Sequence, residues 1–409
     1  MRSLQALVLP ALAIGGLCMA LAAASAPGLV QVAPEAGGWK PLIGAYNHTG
    51  QRLFQALAEA PGNIVLSPYS VGTAMAMALV GARGETEAEM AKALHLELRP
   101  GDIDAANAAV LSSLDKAATD SFQLNIANGL MLAGQGGVVS PAYVSLLRKG
   151  YSADVFSGAD ASTVNAWVKK RTDGKIDSIV SHLGPTTAMV LVDAIYFKAP
   201  WQKAFRAEET RVEPFHLDDG HVKVAMMQTE DFFHVATRPG YRAIELPYTG
   251  ERVSMIVILP DAGTREVVRR LDGDEIGQLL AQLHSPEDRV RLSLPRFRSS
   301  FDTSLKEPFW QMGIRRAFDL HAADFSGVTG RPPSEVPLAI SQIRHRAMIE
   351  VTEQGTEAAA ATGIGMSTTA LRPPPETFRV DRPFLFVIVD SETKAVLFEG
   401  RIEDPRQAS

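Results

Sequence analysis

The sequence predicts an α+β fold whose sheets are mostly antiparallel, and three observations carry that prediction. Helical periodicity and helix-start residues crowd the first half of the chain. Short apolar or alternating runs bounded by turn residues fill the second half. The two patterns do not alternate as βαβ units, so the sheets should be mostly antiparallel.

The chain opens with Met1 and Arg2, then an apolar run from Leu4 to Ala24 that closes in Ala24-Ser25-Ala26. A charged start, an apolar middle and a small-residue end describe a secretory signal peptide over 1–26. The run is also long enough for an uncleaved membrane anchor. Cleavage is the preferred reading, because Pro27-Gly28 follows and no basic stop-transfer cluster does. Cys18 is a conceivable lipid site, but Gly15-Gly16-Leu17 before it is a poor lipoprotein signal, so lipid anchoring is not expected. The expected destination is secreted or periplasmic. Residues 27–41 lack periodicity and read as a flexible lead.

From Tyr46 to Glu59 the apolar Leu53, Phe54 and Leu57 recur at helical spacing, and Pro61-Gly62 stops the pattern. Ile64-Val65-Leu66 is a short β-type run. Ser67-Pro68-Tyr69-Ser70 opens an Ala/Met-rich helix through Val80, with Ser and Pro suited to its start. Thr86, with Glu89 three residues on, predicts a capped start for the next helix. Helical patterns follow over 102–118, over 140–149 from Ser140-Pro141, and through Asn165-Ala166-Trp167-Val168 to Asp173-Gly174. Met189 to Phe197 and Val253 to Leu259 are continuous apolar strand candidates. Val290 to Leu294 and Ala339 to Val351 alternate as half-buried strands do. Phe384 to Val389 and Val396 to Phe398 are the last two strands, split by Asp390-Ser391-Glu392-Thr393.

Composition removes several function classes. A net charge of −6 argues against general binding to nucleic acid or anionic membranes. One cysteine makes neither an internal disulfide nor a cysteine zinc cage. The sequence holds no G-x-S-x-G elbow, H-E-x-x-H pair, P-loop or G-x-G-x-x-G turn. His216 and His221 flank Asp218-Asp219, a weak metal pattern better read as a polar hairpin turn. Asn47-His48-Thr49 matches a glycosylation acceptor, a triplet common by chance. No enzyme constellation, cofactor or metal is expected.

One stretch is unusual. After the strand pattern ending near Val351 comes Glu353-Gln354-Gly355-Thr356-Glu357-Ala358-Ala359-Ala360-Ala361-Thr362, then Gly363 to Arg372 and three prolines. It offers no amphipathic stripe and no large core face. It reads either as an ordinary surface loop or short Ala-rich helix, or as an exposed segment that a protease could bind in extended form. Residue chemistry alone leaves both open.

A set of ordered motifs decides between them. Asn63-Ile64-Val65-Leu66-Ser67-Pro68-Tyr69-Ser70 is followed by Gly81-Ala82-Arg83-Gly84-Glu85-Thr86, Asn165-Ala166-Trp167-Val168 and Thr172-Asp173-Gly174-Lys175-Ile176. Then come Ala194-Ile195-Tyr196-Phe197-Lys198 with Trp201, Leu246-Pro247-Tyr248, Ala323-Asp324-Phe325-Ser326-Gly327, Arg382-Pro383-Phe384-Leu385-Phe386 and Leu397-Phe398-Glu399-Gly400. In this order and spacing the chain resembles the serpins, inhibitors of serine proteases, along nearly its whole length past the lead. The resemblance implies three mostly antiparallel sheets with about nine helices, one domain over 42–405 and an exposed reactive loop over 353–377.

It further implies suicide inhibition. The loop is cut, the protease stays acyl-linked through its serine, and the loop inserts as a new strand in the large sheet. In such a strand Thr356, Ala358, Ala360 and Thr362 would face the core, and all are small enough to enter without overpacking. Glu357, Ala359 and Ala361 would face the other way, with Gly355 as pivot. The family's loop spacing puts the scissile bond at Thr369-Ala370, with Met366, Leu371 or Arg372 as candidates if the register slips. Residues 356–369 would then carry the protease about 46 Å at roughly 3.3 Å per residue. A small β-branched Thr before the cut suits an elastase-like or similarly shallow pocket rather than a trypsin-like one, while Leu371 or Arg372 would suit chymotrypsin-like or trypsin-like targets.

Four residues, Ser67, Ser70, Asp193 and His345, match the buried polar cluster, the shutter, that governs opening of the large sheet. The family usually has Asn where this chain has Asp193, and an Asp–His pair would be charge-sensitive where Asn–His is not. Trp201, Arg296 and Glu353 match the breach, where the loop enters, and an Arg296–Glu353 ion pair is implied. Ala199 replaces the family's usual Gly. Over 92–119 the only basic residues are Lys92, Arg99 and Lys116, so no heparin site is expected. The expected partner is a target serine protease and the expected state a monomer. The alternative is a non-inhibitory serpin serving as a carrier or structural protein.

Overall fold

The computed structural model describes residues 38–117, 123–133, 139–181, 183–184, 187–283, 288–356 and 374–407. Its first helix, α1 (Lys40–Leu57), begins inside the stretch read as a lead. Pro41 fits the first turn, where a missing N–H costs nothing, and Leu42 and Ile43 are already core residues. Asn47 on α1 is no free acceptor: its amide donates to the Lys394 carbonyl and its oxygen accepts from the Val396 N–H. After β1 (Ile64–Leu66), α2 (Pro68–Gly81) starts as its sequence predicts, with the Ser67 hydroxyl accepting from the Ser70 N–H. Every residue of α2 is buried, in keeping with the apolar run from Ala74 to Val80 and the absence of any charged residue from the helix.

The next helix corrects an expectation. α3 (Gly84–Ala93) starts earlier, with Arg83 at its cap, so Thr86 and Glu89 form no capping box. The Thr86 hydroxyl accepts the Asp324 N–H, and the Glu89 carboxylate accepts the N–H groups of Arg315 and Arg316. Both groups satisfy backbone donors of a distant segment that local sequence does not reveal.

There follow α4 (Pro100–Ala117), β2 (Gln123–Leu132), α5 (Pro141–Tyr151), β3 (Asp154–Ser157), α6 (Ala161–Arg171) and β4 (Met189–Pro200). β2 escaped the sequence reading because Asn125, Asn128 and Gly129 interrupt its apolar run. Gly129 lies against the Trp167 ring, where a Cβ would come within 3.0 Å. The hairpin of β5 (Arg211–Leu217) and β6 (Gly220–Phe233) turns at Asp218-Asp219 and pairs His216 with His221 across its end. No group of three or more metal-ligating side chains converges among the described residues.

The remaining elements are β7 (Val235–Arg238), β8 (Tyr241–Pro247), β9 (Val253–Pro260), α7 (Thr264–Arg270), α8 (Gly273–Gln282), β10 (Asp288–Pro295), β11 (Phe297–Ser304), α9 (Lys306–Gln311) and α10 (Ser326–Thr329). The chain closes with β12 (Ile340–Thr352), β13 (Gly355–Thr356), β14 (Glu376–Arg379), β15 (Phe384–Asp390) and β16 (Val396–Ile402).

Three sheets result, with strand orders β1-β16-β15-β9-β8-β7, β14-β10-β6-β5 and β11-β12-β13-β4-β2-β3. Among the described residues, only β10–β14, β12–β4 and β2–β3 pair in parallel, so the mostly antiparallel α+β expectation holds. There are ten α-helices among them, close to the implied nine.

β4 explains its own continuous apolar run, because both of its faces are covered. Leu191, Ile195 and Phe197 enter the main core, while Val190, Val192 and Ala194 meet Val164 and Val168 of α6. Asp193 therefore points into the main core, on the side where α2 lies.

Candidate functional site: the seam of the large sheet

β12 and β4 pair directly in parallel, from Ile340 opposite Met189 to Met348 opposite Tyr196. At the far end β13 is wedged between them. Gly355 pairs with Thr352 and Pro200, and Thr356 with Val351 and Ala199. Two residues of the predicted hinge thus already sit as a strand at the head of this seam.

Only glycine fits position 355. Its φ is +146°, and a Cβ there would lie 2.2 Å from the Ala199 carbonyl oxygen and 2.6 Å from the Pro200 Cα. Ala199 itself, in place of the family's usual Gly, is buried and keeps regular pairing with Thr356.

The entry to the seam is held by Trp201, Arg296 and Glu353, which the fold brings together from β4's end, the β10–β11 junction and the turn after β12. The Trp201 indole N–H donates to the Thr352 carbonyl and its backbone N–H to the Gln354 carbonyl, each at 3.0 Å. Arg296 and Thr210 both donate to the Glu353 carboxylate, of which only 6% is exposed. Burial pushes that carboxyl up, but these hydrogen bonds more than offset it, and Glu353 sits below the ordinary glutamate value.

Near mid-seam lies the polar cluster. Asp193 and His345 are register partners on β4 and β12, with His345 Nδ1 2.9 Å from Asp193 Oδ2 and both side chains buried. The Ser70 hydroxyl donates to the other Asp193 oxygen and lies 3.4 Å from Asn128 Oδ1. Among the described residues Ser67 reaches the cluster through the α2 cap, by accepting the Ser70 N–H. Asn128 is a member that sequence reasoning did not name. Opposite a carboxylate, which only accepts, His345 Nδ1 carries the proton. Its Nε2 is buried with no partner among the described residues.

The sequence marks Tyr248 only as part of the Leu246-Pro247-Tyr248 motif. In the fold its ring stacks on Trp201 at 4.5 Å, and its hydroxyl is 2.7 Å from Thr356 Oγ1. The rest of the expected hinge (Glu357, Ala358, Ala359, Ala360, Ala361 and Thr362) lies outside the described residues. So do Met366, Thr369, Ala370, Leu371 and Arg372, as well as Cys18 and the segment 1–26. The chain is described again from Pro374 and enters β14, parallel to β10 at the edge of another sheet.

Comparison with known proteins fits this geometry. The profile of the family described as "Serpin (serine protease inhibitor)" matches residues 44–405. An uncharacterized serpin-like protein of Thermococcus kodakarensis is 37% identical over 383 residues, covering 90% of this chain and 87% of that one. Leukocyte elastase inhibitor of Bos taurus is 35% identical over 373 residues, covering 86% and 96%. Among solved structures, the thermophilic serpin tengpin in its native state superposes with a TM-score of 0.81 at 27% identity, covering 88% of this chain and 94% of that one.

Proposed function

This chain belongs to the serpin family, and on that premise we propose that it is an exported suicide inhibitor of serine proteases, elastase-like or chymotrypsin-like in preference. The catalytic serine of the target attacks the Thr369 carbonyl, the bond to the Ala370 nitrogen breaks, and Ala370 leaves as a free amine. Thr369 is then esterified to the protease. Before water can hydrolyse the ester, residues 356–369 enter between β12 and β4 and carry the protease away from the loop's entry.

The observation that carries this reading is the position of β13. Gly355 and Thr356 are already hydrogen-bonded into both flanking strands, just ahead of a run of small residues. Extending that strand exchanges one β12–β4 ladder for two, and each inserted residue makes main-chain bonds on both sides. Small side chains let the seam open without overpacking the core beneath. The shape of Thr369 suits a shallow specificity pocket, and a relative named leukocyte elastase inhibitor points the same way. Export rests on the charged start, apolar run and Ala24-Ser25-Ala26 end of the first 26 residues.

The test is incubation with elastase-like and chymotrypsin-like proteases. A denaturant-stable complex of summed mass, with release of a peptide beginning at Ala370, supports the proposal. Cleavage of the loop without a complex rejects it in favour of a non-inhibitory carrier or structural role.

A further inference from the structure

Tyr248 lies where an inserting strand first enters the sheet. It follows β8, bridges to Trp201 through the backbone, and is completely buried. Trp201 covers its ring in a near-parallel stack at 12°, and Phe197 meets the ring edge-on at 5.0 Å. Its hydroxyl has one hydrogen-bond partner among the described residues, Thr356 Oγ1 at 2.7 Å. Thr356 is equally buried, and its backbone is held by Val351 on one side and Ala199 on the other.

We propose that Tyr248 is a positioning residue for loop insertion, which selects a hydroxyl at position 356 and seats the hinge between β12 and β4 before any cleavage. This deepens the inhibitory reading above and rests on it. Insertion by itself asks only that the side chain at 356 be small, and Ala or Val would meet that demand. The phenol asks for more. With Ala or Val opposite, the Tyr248 hydroxyl would be buried without a partner, and with Phe at 248 the Thr356 hydroxyl would be. Burial also holds the phenol far above its ordinary value, so it stays a neutral O–H across the working pH range. The pair is therefore a latch of two neutral hydroxyls, and neither half is explained by packing alone.

Three variants separate the hydroxyl from shape: Thr356→Val keeps the shape and removes the hydroxyl, Thr356→Ser keeps the hydroxyl, and Tyr248→Phe removes the other half. Two readouts apply to the full chain: amide hydrogen exchange at Gly355 and Thr356 in the uncleaved protein, and the stoichiometry of inhibition against a protease that forms the complex. Thr356→Val and Tyr248→Phe should each raise both, on the order of 2- to 10-fold for one hydrogen bond of ordinary net strength. The double variant should do no more than either single, and Thr356→Ser should stay near the parent. Unchanged exchange in both hydroxyl-deleting variants overturns the proposal, and so does a Thr356→Ser variant as impaired as Thr356→Val. If Tyr248→Phe fails to fold, the Val and Ser variants at 356 decide. If the parent traps no protease, the inhibitory reading fails, while the exchange measurement still decides the latch.

Discussion

Asp193 and His345 face each other across the seam between β4 and β12, with His345 Nδ1 2.9 Å from Asp193 Oδ2 and both side chains closed off from solvent. These are the two strands that must part for a loop to insert. Separating them strands a buried carboxylate and a buried imidazole unless new partners form, and a broken buried pair costs far more than an exposed one. The contact therefore holds the seam shut at its middle, while Gly355 and Thr356 hold it ajar at its head.

Asp193→Asn should loosen this clasp. The amide keeps the size of the side chain but removes the charge that strengthens its hydrogen bonds to Ser70 and His345. Melting temperature should fall and the seam should open more readily. Stoichiometry of inhibition and melting temperature measure it, and values identical to the parent's would remove the pair from any control of opening.

Gly355→Ala should expel β13 from the seam. The added Cβ would meet the Ala199 carbonyl oxygen at 2.2 Å, at a φ of +146° that side chains disfavour. Strain of about 1–3 kcal/mol is expected from the backbone alone. Hydrogen exchange at Thr356 should rise sharply, and the variant should be cleaved as a substrate rather than trap its protease.

Arg296→Ala should leave Glu353 buried with only Thr210 and backbone partners. Because hydrogen bonds depress the folded-state value of Glu353, its contribution is present above the ordinary carboxylate value and is lost as pH falls through the depressed one. The parent should exceed the variant by about 1 kcal/mol at neutral pH, discounted for the half-exposed arginine. In denaturant titrations that gap should close in acid, and a gap that persists unchanged at low pH would count against the ion pair.

Glu399 titrates in the opposite sense. It lies on β16 against Gln51 of α1, and burial pushes its carboxyl up to about 8, only partly countered by the Gln51 hydrogen bond. The folded state thus holds a proton that the unfolded state releases near the ordinary value of 4.5. Its contribution is fully present below that value and is lost as pH rises through about 8. Glu399→Gln should flatten this decline and raise stability in mild alkali by roughly 2–4 kcal/mol. Chemical denaturation at acid, neutral and alkaline pH would check it, with an unchanged slope as the contrary result.

Local features of the sequence were readable wherever one element carried its own signal. The Ser67-Pro68 start of α2 needs only its own cap and first turn. β4 announces itself because an unbroken apolar run belongs to a strand covered on both faces. The family motifs pointed to Asp193, His345, Arg296 and Glu353, but not to Asn128 or to the partnership of Tyr248 with Thr356.

By itself, then, the sequence determined the α+β class, the main strands of the second half and the smallness of the residues after Gly355. The tertiary structure alone decided that Thr86 and Glu89 bind remote N–H groups instead of capping a helix. It also decided that Gly355 is obligatory and that two buried hydroxyls meet at the head of the seam. The reason is physical. Periodicity and capping act over one or two turns of chain, whereas the Tyr248–Thr356 and Asp193–His345 contacts join residues more than a hundred positions apart. Such contacts exist only once sheet register has placed their strands side by side.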